Sequence, residues 1–303
     1  MIEIKQVVLW GHKLHSHTHS YIHGAFVKAF QYKGYKTLWL DNNDNINDID
    51  FNNSLFITEG QVDNNIPIRN DSYYVLHNCD GSKYANIPKK NKIVIQVYTN
   101  DVHKHKATKI DNADYCYYQS DCLFMPWGTD LLPEEINSNI EKVKNNMITS
   151  ENKIYFIGMP TPPWNDVKQY CSNNNIIYIN KGGFSNNNIS FNENIELIQK
   201  SLVAPAIQGK WQTDNGYIPC RIFKNISYGK MGITNNITVY ELFDKKILFN
   251  SNIYDLMNEA ISFESNDNEY KKSVLIPLME YVRDKHTYLN RIDLLLWFLN
   301  KMQ

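Results

Sequence analysis

The 303-residue chain has no apolar run approaching the roughly 18 residues needed to span a bilayer, which excludes a membrane-embedded fold built on helices. An excess of charge is missing too. With 31 basic against 32 acidic residues the formal net charge is −1, so the balance announces neither nucleic acid nor an anionic membrane surface as a partner. The five cysteines (Cys79, Cys116, Cys122, Cys171, Cys220) contain no Cys-x-x-Cys spacing. An odd number scattered over this length fits reduced thiols better than a disulfide framework. The opening Met-Ile-Glu-Ile-Lys-Gln-Val-Val-Leu-Trp lacks signal-peptide architecture and runs straight into a strand-like segment. The expected location is therefore the cytoplasm. No internal repeat is evident beyond a likeness between two α/β halves.

Hydrophobic residues make up 43% of the chain, enough for two domains that each bury a core. Asparagine is abundant, and its runs at 173–175 and 186–188 are read as solvated loops. Short apolar strands are expected at 5–10, 36–41, 54–58, 72–77 and 92–98, with a helix from Ser20 carrying Ile22, Phe26 and Phe30 at spacing four and stopping at Gly34. Continuously apolar strands separated by longer segments argue for a parallel sheet covered on both faces. Residues 122–130 turn through Pro126 and Gly128 into a linker, after which the alternation restarts. Helix 134–147, strand 153–157, helix 164–174, strand 176–179, helix 191–200 and strand 201–206 are expected in turn. A helix near Pro219, helix 237–243, strand 246–249 and helix 253–263 follow, and 268–301 reads as two helices broken near Lys285-His286. The fold class is α/β, with Rossmann-like domains at 1–130 and 131–285 and a final helix, 286–303, expected to pack on the first.

Polar residues gather at the expected carboxyl ends of the first strands, as the loop 11–19, Glu59-Gly60-Gln61 and His77-Asn78-Cys79-Asp80. Open α/β sheets bind ligands along that edge. Five of the nine histidines fall between His12 and His23. One reading is a general base, since neutral imidazole titrates near working pH and a helix dipole disfavours its charged form. A second is metal binding, because His-x-His after a first strand is also a ligand pattern in barrel hydrolases. The structural reading is that these histidines cap the helix or pack in the loop. A metal would need further ligands, for which His77 with Asp80, and His103 with His105, are the candidates; His103-Lys104-His105 reads more simply as a solvated helix or turn.

Residues 205–239 read as strand end, long loop, short helix, glycine stop, short strand and polar loop. Pro219 fits the first helical turn, Ile222, Phe223 and Ile226 form a buried stripe, and Gly229 fits the left-handed position after the last turn. Ile218 cannot cap, so the first backbone N–H groups would suit a phosphate, and Arg221 adds a fork of donors. The alternative is an earlier start capped by Asp214 or Asn215, with Arg221 on the surface. In Gly209-Lys210-Trp211-Gln212 a flat aromatic beside ammonium and amide groups suits a nucleobase or sugar ring, or else Trp211 anchors the loop. In Thr234-Asn235-Asn236-Ile237-Thr238 hydroxyl and amide groups converge at a helix start that Asn236 could cap.

Ser-His-Thr-His-Ser-Tyr (Ser16 to Tyr21) after a first strand, together with Ile218-Pro219-Cys220-Arg221-Ile222-Phe223-Lys224-Asn225-Ile226-Ser227-Tyr228-Gly229, resembles nucleotide-sugar-dependent glycosyltransferases of the GT-B fold, of the bacterial and viral polysaccharide type. Gly34 to Asp41 continues the match loosely. The resemblance implies two Rossmann-like domains facing across a cleft, a nucleotide-sugar donor, a glycan or other hydroxyl acceptor, no nucleic acid and no metal. It implies His17 or His19 as base. Lys210, Trp211, Gln212, Pro219, Arg221, Lys224, Asn225, Asn235, Asn236 and Thr238 would lie on the donor side, and His15, Ser16, Glu59, His77, Asp80 and Trp127 on the acceptor side. Many retaining members carry two acidic residues eight apart in the donor segment, where this chain has Gly216 and Lys224. A lysine cannot accept the ribose hydroxyl bonds of a carboxylate, so an inverting reaction or a different hold on the donor is implied. The competing classes are a nucleotide-sugar epimerase or hydrolase on the same fold, a metal-dependent hydrolase using the histidines, and a non-catalytic sugar- or nucleotide-binding partner of another transferase.

Overall fold

The computed structural model describes residues 2–13, 18–181 and 189–303. The chain divides into two compact units, one of residues 1–97, 101–125 and 288–303, the other of 98–100 and 126–287.

The first unit is built on β1 (Gln6–Trp10), α1 (Thr18–Tyr32), β2 (Thr37–Leu40), β3 (Ser54–Glu59), β4 (Tyr73–His77), β5 (Lys92–Gln96), α2 (Asn100–His105), β6 (Thr108–Lys109), β7 (Tyr117–Gln119) and β8 (Cys122–Phe124). Its sheet runs β2-β1-β3-β4-β5-β8-β7-β6. The strands from β2 to β8 in that order are parallel, and β7 and β6 extend the edge antiparallel. Helix α2 contains His103-Lys104-His105, read above as a solvated helix or turn, whereas the antiparallel extension is not foreshadowed by the hydrophobic pattern. Its strands are two and three residues long and mostly exposed or half-buried, leaving little apolar signal to read.

Strands β1 and β3 are buried along their whole length, as parallel strands covered on both faces should be. Because β2 lies on one side of β1 and β3 on the other, the chain reverses direction of travel between β1 and β3. Such a switch point opens a crevice at the carboxyl ends of the two strands. Helix α1 covers the sheet through Ile22, Phe26 and Phe30, beginning two residues before the expected Ser20. The last helix, α11 (Tyr288–Lys301; the intervening labels are assigned below), belongs to this unit, where Tyr288 meets the Phe26 ring edge-on at 4.6 Å.

The second unit contains α3 (Pro133–Lys144), β9 (Lys153–Ile157), α4 (Trp164–Asn173), β10 (Ile177–Lys181), α5 (Phe191–Lys200), α6 (Lys210–Asp214), α7 (Cys220–Ser227), β11 (Ile233–Thr234), α8 (Ile237–Leu242), β12 (Leu248–Phe249), α9 (Ile253–Glu264) and α10 (Asn268–Lys285). Strands β10 and β9 pair in parallel, as do β11 and β12. The strand expected at 201–206 does not form a continuous ladder. Ser201 Oγ accepts the Tyr155 N–H at 3.0 Å and donates to Val203 O at 2.6 Å, taking the place of a backbone partner. Leu202 N–H still reaches Lys153 O at 2.7 Å and Ala206 N–H reaches Ile233 O at 2.8 Å, so the segment bridges the two strand pairs.

Helix α7 carries Ile222, Phe223 and Ile226 on its buried face. It ends in a Schellman turn, with Gly229 N–H on Ile226 O and Lys230 N–H on Asn225 O, both at 3.0 Å. Gly229 adopts φ +93°, where a glycine avoids the cost of a Cβ. The expected break between the last two helices falls at His286, whose ring stacks on Phe223 at 4.5 Å while its carbonyl accepts the Thr129 N–H at 2.8 Å.

Candidate functional site

In the first unit the switch point places the turn after β1 beside the end of β3, with Trp10 level with Thr58. Gly11 and His12 both take left-handed backbone, φ +92° and +60°. At Gly11 a Cβ would collide with Val62, so only glycine permits that close approach. The turn is pinned through Gly11 O, which accepts from Trp39 Nε1 and His23 Nδ1, each at 2.9 Å.

This geometry brings His12, His19, His23, Glu59 and His77 together. His12 Nε2 lies 3.1 Å from Glu59 Oε2, with both side chains buried. The His12 ring stacks near His19 at 5.2 Å and meets His23 edge-on at 5.4 Å, and His19 lies 5.6 Å from His77. Gln61 N–H also donates to Glu59 Oε2 at 3.2 Å, whereas Glu59 Oε1 is buried with no hydrogen-bond partner among the described residues. His77 is fixed as one neutral tautomer, because Nδ1 donates to Ile95 O at 3.3 Å and Nε2 accepts from Asn78 Nδ2 at 3.1 Å.

Burial lowers the pKa of His19 to about 3, the nearby Glu59 charge opposing and the neighbouring histidines assisting. It lowers that of His23 to about 4, opposed by the bond to Gly11 O. His77 is lowered by burial as well. For Glu59 burial pushes upward, but the His12 hydrogen bond, the His19 charge and the Gln61 N–H outweigh it, so the carboxyl stays below its ordinary value. His19, His23 and His77 are therefore held as neutral imidazoles near an ionised carboxylate. His12, His19 and Glu59 offer atoms within 4.8 Å of one another and could hold a cation by ligand type. Two of these atoms, His12 Nε2 and Glu59 Oε2, are the pair at 3.1 Å.

Of the residues expected on the acceptor side, Glu59 and His77 join this cluster. Asp80 is exposed and accepts from Ser82 N–H at 2.9 Å and Ser82 Oγ at 2.8 Å, closing its own turn. Trp127 is buried in the second unit. His15, Ser16 and His17, the last an expected base, lie outside the described residues. His12 and His23 belong to the histidine run, but nothing in the spacing distinguishes them as the pair tied to Glu59 and Gly11. His105, in α2, lies 6.0 Å from the Phe124 ring.

In the second unit Pro219 is the N-cap of α7 rather than its first helical residue, and no side chain caps that end. Arg221 rests over the Phe156 ring at 4.4 Å and donates from Nη2 to Ile157 O at 2.8 Å. Gly158 at φ +134° makes room for it, since a Cβ there would stand 2.9 Å from Nη2. Lys224 Nζ lies 3.3 Å from Asp130 Oδ2, and Tyr228 Oη is 2.7 Å from both oxygens of that carboxylate. Asp130 and Tyr228 carry no warning in the sequence.

The remaining donor-side residues divide between exposed groups and loop braces. Trp211 is 63% exposed and meets Tyr98 edge-on at 5.1 Å. Lys210 pairs with Asp214 at 2.8 Å, and Gln212 Oε1 accepts from Gly209 N–H at 3.3 Å. Asn225 Nδ2 donates to Ala204 O at 2.7 Å. Asn235 makes two bonds with the Gln208 backbone, both 2.9 Å. Asn236 accepts from Thr238 N–H at 2.9 Å as a helix cap, while its Nδ2 donates to Gln208 Oε1 and Tyr217 O, both at 2.8 Å. These asparagines thus frame the loop before α7.

Neither a scan of protein-family models nor a search of curated proteins returns a match. Among solved structures the chain is similar to an alpha-glucosyltransferase in complex with UDP, at 9% identity and TM-score 0.54, covering 96% of this chain and 99% of that one. It is likewise similar to an alpha-glucosyltransferase in complex with UDP and a 13-mer DNA containing a HMU base, at 10% identity, TM-score 0.55 and the same coverage. At such identity the likeness is one of fold, and the fold is of the GT-B kind.

Proposed function

We propose that the protein is a nucleotide-sugar-dependent glycosyltransferase, with the donor diphosphate held by the second unit and the proton-transfer groups carried by the first. The observation that carries this reading is the uncapped start of α7 with Arg221 as its second helical residue, fixed between Phe156 and Ile157 O. Backbone N–H groups at a helix start and a guanidinium match diphosphate oxygens in charge and geometry. Exposed Trp211 beside Tyr98 offers a face for the base, and Lys224, held by Asp130, adds a second cation to the same helix. The GT-B fold, shared with two structures that contain UDP, supports a uridine nucleotide as donor.

For the acceptor hydroxyl the base is His12 oriented by Glu59. When His12 donates through Nε2 to the carboxylate, Nδ1 is the basic nitrogen, and the ionised Glu59 stabilises the imidazolium that forms. His19 is less suited, since a group with pKa about 3 accepts a proton poorly at neutral pH. Arg221 and the helix N–H groups neutralise the leaving diphosphate, so no metal is required at the donor.

The acceptor is a hydroxyl of a glycan or related molecule. A hydroxymethylated base in DNA is the second reading, favoured by the DNA in one of the similar structures, although the net charge of −1 supplies no general attraction for a polyanion. Calorimetric titration with UDP-, GDP-, CMP- and dTDP-sugars tests the donor. Sugar transfer to glycan acceptors and to hydroxymethyl-containing DNA, run in parallel, decides the acceptor. Absence of binding by every nucleotide sugar would overturn the reading.

A further inference from the structure

We propose that the second unit carries a separate anion site, for the phosphate group of a small molecule, in the pocket at the far end of α7, with Lys230 as its buried cation. The pocket has a volume of about 360 Å³ and lies among α3, α7, α9 and α10. Lys230 is the residue after Gly229 in the turn that closes α7. In a Schellman turn that position usually makes an apolar contact with the last helical turn. Here it is a lysine, 3% exposed, facing the pocket.

The Lys230 ammonium donates to Ser150 Oγ at 2.9 Å and forms no ion pair among the described residues. An ammonium has three N–H donors, and leaving a charge under-partnered away from water is costly. Burial pushes its pKa downward and the Lys271 charge assists, while Glu264 opposes. The other charged groups lining the pocket are Lys271, Lys272 and Glu264. Lys271 Nζ is 3.8 Å from Glu264 Oε2 and donates to Glu264 O at 3.1 Å. Lys272 reaches outward to the exposed Glu269 at 2.8 Å. With Lys271 paired to Glu264 and Lys272 to Glu269, the Lys230 ammonium is the charge in excess that a phosphate group would meet, and the Ser150 and Thr149 hydroxyls add neutral hydrogen-bonding groups. Phe263 and Leu275 give the wall an apolar part suited to the organic body of a phosphate ester.

The test is calorimetric titration of the full chain with inorganic phosphate and with glycerol 3-phosphate, ionic strength being held with chloride. A saturable component of phosphate binding that survives in Arg221→Ala is expected, and tighter binding of the ester in that component would identify an organic phosphate as the natural occupant. Lys230→Met should weaken binding about tenfold or more, since it removes a charged hydrogen-bond donor. Ser150→Ala and Lys272→Met, which disturb the core less, should each weaken it roughly threefold, a loss of the size seen for exposed charge contacts. Arg221→Ala should leave it unchanged, which separates this site from the donor site and keeps the result independent of the proposed transferase activity. No saturable binding, or binding lost in Arg221→Ala and retained in Lys230→Met, Ser150→Ala and Lys272→Met, would overturn the proposal.

Discussion

Lys224 Nζ lies 3.3 Å from Asp130 Oδ2, with both side chains largely buried and Tyr228 Oη bonded to the same carboxylate. Many GT-B transferases with the retaining signature have an acidic residue at this helix position; here the carboxylate comes from the segment before α3 and the helix supplies the cation. Removing one partner of a buried pair strands the other charge, so Asp130→Ala should cost about 3 kcal/mol of unfolding free energy. Lys224→Met should cost less, and the double variant should be more stable than Asp130→Ala alone. Urea denaturation of the three variants measures this, and strict additivity would mean that the two residues do not act as a pair.

Arg221 is fixed by what surrounds it. Its substitution by alanine should weaken binding of the nucleotide sugar by about 1.5–3 kcal/mol if the guanidinium bonds a charged diphosphate. Gly158→Val supplies an independent check, because a Cβ at that position stands 2.9 Å from Arg221 Nη2 and must displace it. Both variants should show a raised donor Kd by calorimetry with thermal stability close to that of the parent for Arg221→Ala. An unchanged donor Kd in both would return Arg221 to a packing role.

If His12 and Glu59 act as the base pair, His12→Ala and Glu59→Gln should each lower kcat by about a hundredfold to ten-thousandfold, the range supplied by general base catalysis. Donor affinity should stay within about twofold, because neither residue belongs to the unit proposed to hold the diphosphate. His19→Ala separates the two assignments. A larger loss from His19→Ala than from His12→Ala, at equal folded fraction, would move the base to His19.

Much of the fold was legible because its strands are short and continuously apolar and its helices carry clear stops. The strand 153–157, the helix 191–200 and the break before Tyr288 all coincide with the observed elements. The exceptions have local causes. At 201–206 a serine side chain replaces a ladder partner, and the polar edge strands β6 and β7 bury too little to leave a pattern. The candidate site was legible as a neighbourhood, since polar residues at strand ends can be counted, but its pairings were not. His12 and Glu59 are 47 residues apart, Lys224 and Asp130 are 94 apart (224 less 130), and only the sheet order and the packing of α7 bring them together. Asn225, Asn235 and Asn236 show the converse. Their amide groups suit a ligand in sequence terms, yet in the fold they brace the loop before α7.

Chelation bears on the histidine cluster. If Arg221 and the backbone N–H groups of α7 neutralise the diphosphate, activity should survive EDTA, and the purified protein should contain less than about 0.1 equivalent of zinc by elemental analysis, far from the full occupancy of a structural or catalytic site. One equivalent of zinc, lost together with activity on chelation, would instead favour a metal-dependent reaction at His12, His19 and Glu59.

The neutral histidines also set how stability responds to acid. His23 is buried, and burial lowers its pKa from 6.5 to about 4. Between those values the unfolded chain takes up a proton that the folded chain does not, so stability is complete above pH 6.5 and falls as the pH drops toward 4. The shift corresponds to a loss on the order of 3 kcal/mol from this residue, and the lowered values of His19 and His77 act in the same direction. His23→Asn removes the titration while leaving an amide able to donate to Gly11 O. Urea unfolding at pH 7.5 and 4.5 should therefore show a markedly smaller difference for His23→Asn than for the parent protein. An equal difference in both would place the acid sensitivity elsewhere in the chain.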